Sequence, residues 1–322
     1  MTPLRTVFMG TPELAEVSLR ALLHTPDCRV VAVVTQPDQP KGRGLKLQAS
    51  PVKQAALLEH LPVLQPEKAR DEHFIRELQL LAPDLIVVTA FGQILPRPLL
   101  ELPRLGCLNV HTSLLPKFRG AAPIQWAILN GESETGVTIM KLDAGVDTGD
   151  ILAQETTPIH SSDDAWTLQD RLGKLGAELL VRTIPAYRDG IVRPRPQPAE
   201  GISHAPRIKK QDGRIDWTQP ATAVWNRVRA MVPWPGAFTR LADPPAHRLK
   251  ILAAEVAEFS GPAGEILRVG PEGIVCGCGK AALRILSLQR EGGRPLKARE
   301  FLSGCPLKTG QRFLPEMPSA TA

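Results

Sequence analysis

Thr6-Val7-Phe8-Met9-Gly10-Thr11-Pro12-Glu13 reads as a short buried strand that turns directly into a helix. Four apolar or β-branched residues in a row suit a strand covered on both faces, while Thr11 is placed to act as N-cap and Pro12 as first helical residue. Leu14, Val17, Ala21 and Leu22 then fall on one helical face. Three further strand-like runs follow, Val30 to Val34, Leu85 to Val88 and Cys107 to Val110, with helical patterns between them. Strand alternating with helix specifies a parallel sheet covered on both sides. Thr135 to Leu142 and Ile151 to Thr157 are expected to add strands. Leu168, Leu172, Leu175 and Leu179 step along a helix that ends near Gly190.

The chain is 322 residues long, natural for two domains. Residues 191–208 carry Pro194, Pro196, Pro198 and Pro206, which cannot donate ladder hydrogen bonds, and this stretch is expected to be a semi-rigid linker. Beyond it, short apolar runs beginning at Lys250, Gly264, Gly273 and Ala282 are separated by turn residues, the spacing of a small β-barrel. The expected division is therefore 1–190, a linker 191–208, and 209–322. Charge divides the same way. Residues 1–190 hold 19 Lys and Arg against 22 Asp and Glu, and residues 191–322 hold 20 against 11, so the second part is suited to meeting a polyanion.

Several function classes drop out. The apolar stretches fall far short of the roughly 20 residues of a membrane helix, and Met1 to Arg5 lacks the pattern of a signal peptide, so a cytoplasmic protein with no membrane partner is expected. Five cysteines at irregular spacing (Cys28, Cys107, Cys276, Cys278 and Cys305) argue against a disulfide framework, and Cys276-Gly-Cys278 lacks two further ligands, so no metal is expected. Gly10-Thr11-Pro12-Glu13 and Gly42-Arg43-Gly44 both lack the dinucleotide fingerprint, and no Walker lysine occurs.

The chemistry is expected between Leu108 and Gln125. Asn109 and His111 are two apart on a strand and share one face, with Val110 on the other. Open α/β sheets bind ligands at the carboxyl ends of their strands. A carboxamide that polarises an oxygen and an imidazole that moves a proton suit acyl transfer, although a histidine at a strand end can equally serve to bond a backbone carbonyl. Asp143 to Asp150 holds two glycines and three aspartates, and reads either as a third component of the site or as a turn with capping carboxylates. No nucleophile elbow is present, so the nucleophile of an acyl transfer would come from the substrate, an amine being the natural candidate.

Asn109-Val-His111, Ser113-Leu-Leu-Pro116, Arg119-Gly-Ala-Ala-Pro-Ile-Gln125 and Gly145-Val-Asp-Thr-Gly-Asp150 together resemble the signature of the folate-dependent formyltransferases. Gln36 to Gly44, Ser50-Pro-Val-Lys53, Ile215-Asp-Trp217 and Pro233 to Phe238 resemble the branch of that family that formylates methionyl-tRNA. The resemblance implies a Rossmann-like catalytic domain followed by an OB-like barrel. It also implies 10-formyltetrahydrofolate as formyl donor and the α-amino group of initiator methionyl-tRNA as acceptor; a monomer is expected. Carried over by position, Asn109 would polarise the formyl oxygen, His111 would stabilise the tetrahedral intermediate and assist proton movement, and Asp147 would set the charge and orientation of His111. Ser113, Leu114, Leu115 and Pro116 would line the folate site, and the backbone at Phe91, Gly92 and Ile94 would contact the pterin. Lys41, Arg43 and Lys46, in a basic loop, would contact tRNA. Thr112, Lys117 and Phe118 stand where relatives often have Gly, Arg and Trp.

The same catalytic segment serves enzymes that formylate a small nucleotide or a sugar nucleotide, or that hydrolyse formyl-folate. The first is shorter and leaves the basic second part unexplained; the second has no use for the Gly42-Arg43-Gly44 loop. A non-enzymatic RNA-binding module has no use for Asn109, His111 and Asp147.

Overall fold

The computed structural model describes residues 2–41, 46–241 and 248–314. The chain forms two compact units. Unit 1 comprises Met1–Pro123, Glu134–Pro158 and Gln169–Pro206; unit 2 comprises Ile124–Ser133, Ile159–Leu168 and Arg207–Ala322.

Along the first two-thirds of the chain run β1 (Leu4–Gly10), α1 (Glu13–His24), β2 (Cys28–Val34), β3 (Gln39–Lys41), β4 (Lys46–Gln48), α2 (Pro51–Leu58), β5 (Val63–Leu64), α3 (Glu72–Leu80), β6 (Leu85–Thr89), α4 (Arg97–Leu100), β7 (Cys107–His111), α5 (Pro123–Leu129), β8 (Glu134–Lys141), β9 (Ile151–Pro158) and α6 (Ala165–Arg188). The main sheet of unit 1 has the order β5-β2-β1-β6-β7-β8-β9. From β5 to β7 it is parallel, and β8 and β9 run antiparallel to their neighbours. Val7, Met9, Ala32, Val34 and Ile86 belong to one buried cluster, each apolar side chain contributing about 1.5–3 kcal/mol where it is as large as Val or Leu.

Two local expectations meet a different outcome. α1 begins at Glu13, with Pro12 in the cap position and no side-chain cap, because the Thr11 hydroxyl bonds the Phe91 carbonyl instead. The most buried stripe of α1 is Ala15, Ser18, Leu19 and Leu22. Leu14 is rotated away from it and lies against Gly173 of α6, so the helix has two covered flanks and a single-face reading catches only one.

The switch of strand order falls at β1, with β2 on one side and β6 on the other. The carboxyl ends of β1, β6 and β7 therefore lie side by side: Gly10 pairs with Thr89, and Val88 with Asn109. Behind β7, a Cβ at Gly176 of α6 would lie 2.8 Å from Val110, so the helix covers the strand face opposite Asn109 and His111.

Residues 191–206 fall within unit 1. Arg195 forms an antiparallel bridge with Ile151 on the edge strand β9, through backbone bonds of 2.8 and 3.0 Å. Arg119 pairs with His204 in a parallel bridge.

Unit 2 contains α7 (Ala221–Ala230), β10 (Ala237–Leu241), β11 (Arg248–Ala257), β12 (Ile266–Gly270), β13 (Gly273–Gly277), β14 (Ala282–Arg290), β15 (Leu296–Lys297), α8 (Ala298–Gly304) and β16 (Phe313–Leu314). Its antiparallel sheet follows β12-β13-β14-β11-β10-β16 and curls so that its ends meet through a bridge between Glu265 and Arg312. Inside, Trp217 stacks on Phe313 at 5.6 Å and donates its indole N–H to the Thr239 hydroxyl at 3.0 Å. That hydroxyl donates in turn to the Leu314 carbonyl. All five cysteines are free; burial pushes the Cys278 thiol up to about 11. Among the described residues, no helix is long and apolar enough to cross a membrane.

Candidate active site

β7 delivers Asn109 and His111 to the carboxyl edge of the sheet on one face. Asn109 is half-buried, and its carboxamide has no hydrogen-bond partner among the described residues. His111 is 5% exposed. Its Nε2 lies 3.0 Å from the Phe118 carbonyl and its Nδ1 lies 3.6 Å from the Asp147 carboxylate. The first distance is a hydrogen bond and the second is too long for one, so Nε2 carries the proton and donates to Phe118, leaving the Nδ1 lone pair on the side of Asp147. Burial holds the imidazole below the usual histidine value, with the Asp147 charge and the Phe118 carbonyl partly offsetting it. The histidine thus bonds a backbone carbonyl, as a strand-end histidine can, and it also stands beside a carboxylate.

Asp147 arrives on the loop between β8 and β9 with a left-handed backbone, φ +51°, a conformation that costs a non-glycine residue free energy and needs support from its surroundings. The loop is tied from inside by Asp143, whose carboxylate accepts the Gly145 amide and the Thr148 hydroxyl. Asp143 thus fills the capping role while Asp147 faces the histidine. A Cβ at Gly149 would fall 1.8 Å from the Lys141 carbonyl, so only glycine fits there. The Asp147 Oδ2 also accepts the Gly120 amide at 2.8 Å.

Ser113, Leu114, Leu115 and Pro116 form the turn after β7, closed by the Ser113 hydroxyl donating to the Lys117 carbonyl at 2.6 Å. Thr138 pins it by donating to the Ser113 carbonyl and accepting the Leu115 amide, while Gln154 donates to the Leu115 carbonyl. Phe91, Gly92 and Ile94 follow the neighbouring strand β6. The Phe91 ring is buried, and its carbonyl takes the Gln36 side-chain amide at 2.9 Å and the Thr11 hydroxyl at 3.3 Å. Ile94 is 74% exposed.

Lys41 and Lys46 pair across the β3–β4 hairpin, and Arg43 lies outside the described residues. Lys53, the fourth cation of this region, is committed: its ammonium bonds both Asp38 oxygens and Gln65 Oε1 at 2.7–2.9 Å. These bonds from Lys53 and Gln65 hold the Asp38 carboxyl below its usual value. Gln65 also donates to the Gln36 carbonyl, so the base of the hairpin is joined by hydrogen bonds to the Phe91 segment. Among the described residues no group of three or more His, Cys, Asp or Glu is placed to hold a metal ion.

Sequence reasoning did not single out Thr138, Gln154 or Gln197. Gln197 donates to the carbonyls of Asp147 and Gly149 and accepts two bonds from the Arg119 guanidinium. Its pairing spans about fifty residues, and nothing local marks it.

Unit 1 is an open α/β sheet with an imidazole and a carboxylate at its carboxyl edge, and unit 2 a curled antiparallel sheet; family comparison makes this a two-part transferase. A model described as formyl transferase matches residues 4–184 and one described as formyl transferase, C-terminal domain, matches residues 207–306; the chain belongs to the formyl transferase family. It is 50% identical over 310 residues to the methionyl-tRNA formyltransferase of Citrifermentans bemidjiense, covering 96% of each chain. To that of Myxococcus xanthus it is 51% identical over 308 residues, covering 96% of this chain and 97% of the relative. Among solved structures, an N-formyltransferase from Helicobacter canadensis in complex with folinic acid and dTDP-3-aminofucose shares the fold (TM-score 0.62, 21% identity, 88% of this chain and 99% of that one). So does HypX from Aquifex aeolicus in complex with tetrahydrofolic acid (TM-score 0.60, 19% identity, 93% and 47%).

Proposed function

We propose that the chain transfers the formyl group of 10-formyltetrahydrofolate to the α-amino group of initiator methionyl-tRNA, as a methionyl-tRNA formyltransferase. The observation that carries this reading is half-identity to proteins of that name over nearly the full length of both chains, supported by His111 beside Asp147 and Asn109 two residues before His111 on the same strand.

In this reading, Asn109 offers its free carboxamide N–H to the formyl oxygen, which gains negative charge as the amine attacks; such donors contribute roughly 10²–10³ in rate. The amine nitrogen bonds the formyl carbon, the bond from that carbon to the folate nitrogen breaks, and one proton passes from the amine to the departing nitrogen. His111, neutral and with its lone pair toward Asp147, takes part in that proton movement, and the carboxylate stabilises the imidazolium while it exists. The Ser113–Pro116 turn and the backbone at Phe91, Gly92 and Ile94 hold the folate. Lys41, Arg43 and Lys46 meet the tRNA, and so does unit 2 through its cations. Cytoplasm is the compartment in which these substrates meet, and a monomer suffices for the site. The domain division carried forward is a catalytic 1–190, a connecting 191–208 and a tRNA-binding 209–322.

The deciding experiment incubates the protein with the formyl donor and with initiator or elongator methionyl-tRNA. Formylmethionyl-tRNA should form from the initiator species. Formylation of an amino sugar nucleotide in its place would overturn the acceptor assignment.

A further inference from the structure

Three groups of hydrogen bonds run from residues 195–205 to the residues that surround His111. Gln197 donates both amide hydrogens, at 2.8 Å each, to the carbonyls of Asp147 and Gly149. Its oxygen accepts from Arg119 Nε at 3.1 Å and Nη2 at 2.7 Å. Ser203 Oγ accepts the Phe118 amide at 2.9 Å, and the Ser203 carbonyl accepts the Arg119 amide at 2.9 Å. Ala205 brackets the same turn, giving its amide to the Arg119 carbonyl and accepting the Ala122 amide. The approach is so close that a Cβ at Gly120 would lie 2.6 Å from the Ala205 carbonyl.

Phe118 and Asp147 are the two partners of the imidazole, and both have left-handed backbones, φ +61° and +51°. Neither belongs to a strand or helix, so neither conformation is imposed by a ladder. The same short segment bonds both. We propose that residues 195–205 act as a strap that sets the position of His111 through its two partners, and that Gln197 is the positioning residue for Asp147. The amide is the one neutral side chain of this reach that presents two donors to two carbonyls and an acceptor to a guanidinium, and all of these positions are used.

The inference rests on the proposed function for its kinetic readout and on the geometry alone for its exchange readout. The test is Gln197→Glu in the full chain. This change keeps the volume and the oxygen that faces Arg119, and replaces the two donors with an acceptor aimed at two carbonyls. Turnover at saturation with both substrates should fall about tenfold or more, the scale of a small misplacement at a reacting centre, while KM for formyl-folate and for charged tRNA stays within about twofold. Because Gln197 acts through Asp147, the double variant with Asp147→Asn should be no slower than Asp147→Asn alone, within about threefold. Independently of activity, exchange of the Gly120 amide, which is held by Asp147, should quicken by about tenfold or more.

Unchanged turnover and unchanged Gly120 exchange would overturn the strap, and so would losses that multiply in the double variant. A wild-type protein that transfers no formyl group would overturn the functional reading and leave the exchange result to decide the strap. Should Gln197→Glu fail to fold, Ser203→Ala serves: it removes only the bond to the Phe118 amide, and faster exchange at Phe118 with lowered turnover is expected. Wild-type values of both would count against the proposal.

Discussion

The Nδ1 of His111 stands 3.6 Å from the Oδ2 of Asp147, and the same carboxylate oxygen accepts the Gly120 amide at 2.8 Å. The carboxylate is therefore anchored by one bond and free to serve the imidazole with its charge. Asn109→Ala, His111→Ala and Asp147→Asn should each lower turnover about a hundredfold or more; because His111 is buried, a cooperative melt first establishes that each variant is folded. Steady-state kinetics on folded protein checks this, and near-wild-type turnover in any variant ends that residue's assignment.

Burial disfavours the charged imidazole, so His111 should titrate below the usual 6.5 of a free histidine. The folded state then binds fewer protons than the unfolded one as pH falls past about 6.5, so this group's contribution is present above that value and is lost on acidification. Asp147→Asn removes the charge that favours protonation and should move the titration lower still. Carbon-13 shifts of labelled histidine follow both; a midpoint at or above 6.5 in the wild type contradicts the account.

Arg43→Ala should lower activity on charged tRNA while leaving formyl-folate binding nearly unchanged. Lys53→Met acts differently, because it strips Asp38 and Gln65 of the ammonium that ties the hairpin base to the Gln36–Phe91 bonds. It should raise KM for tRNA and weaken folate binding as well. Equal loss of both substrates in Arg43→Ala would remove the tRNA assignment of the loop.

Lys209, Lys210, Arg268 and Arg294 are exposed cations of unit 2. Replacing the four with Gln should weaken tRNA binding and flatten the slope of log affinity against log salt, by about one for each phosphate that the protein no longer neutralises. A slope identical to wild type would show that these cations do not hold the tRNA.

In unit 2 the buried Thr239 hydroxyl accepts from Trp217 and donates to Leu314. Thr239→Val keeps the shape but orphans the buried Trp217 indole N–H, at a cost of about 1–3 kcal/mol. Denaturant unfolding monitored by tryptophan fluorescence measures it, and a change well under 1 kcal/mol would mean that the indole finds another acceptor.

The parallel strands were legible because each is a compact apolar run closed by turn residues, and Asn109 and His111 share a face by strand period alone. The direction of β8 was not legible. The stretch from β7 to β8 contains α5 and reads as an ordinary parallel crossover, yet the strand returns antiparallel. Asp147 was marked by its glycine-rich surroundings and by the resemblance of Gly145 to Asp150 to the family signature, not by any local pattern that places it beside His111; what brings it there is a left-handed backbone and bonds from Gln197 and Gly120. The prolines of 191–208 were read as the mark of a semi-rigid linker, but proline density carries no information on what such a segment lies against, and residues 195–205 are bonded to unit 1.

The Arg195–Ile151 bridge has a further effect on the fate of the sheet edge. β9 is the last strand on its side, and an open edge is a template for pairing with another copy. The apolar beginning of that edge, Ile151 and Leu152, is where Arg195 sits. Pro194 and Pro196 on either side have no N–H to offer an incoming strand. Further along, β9 is polar, and its Glu155 pairs with Arg182. The apolar start of this edge is therefore closed to an incoming strand, and what remains of it presents polar and charged side chains, which disfavour edge-to-edge pairing.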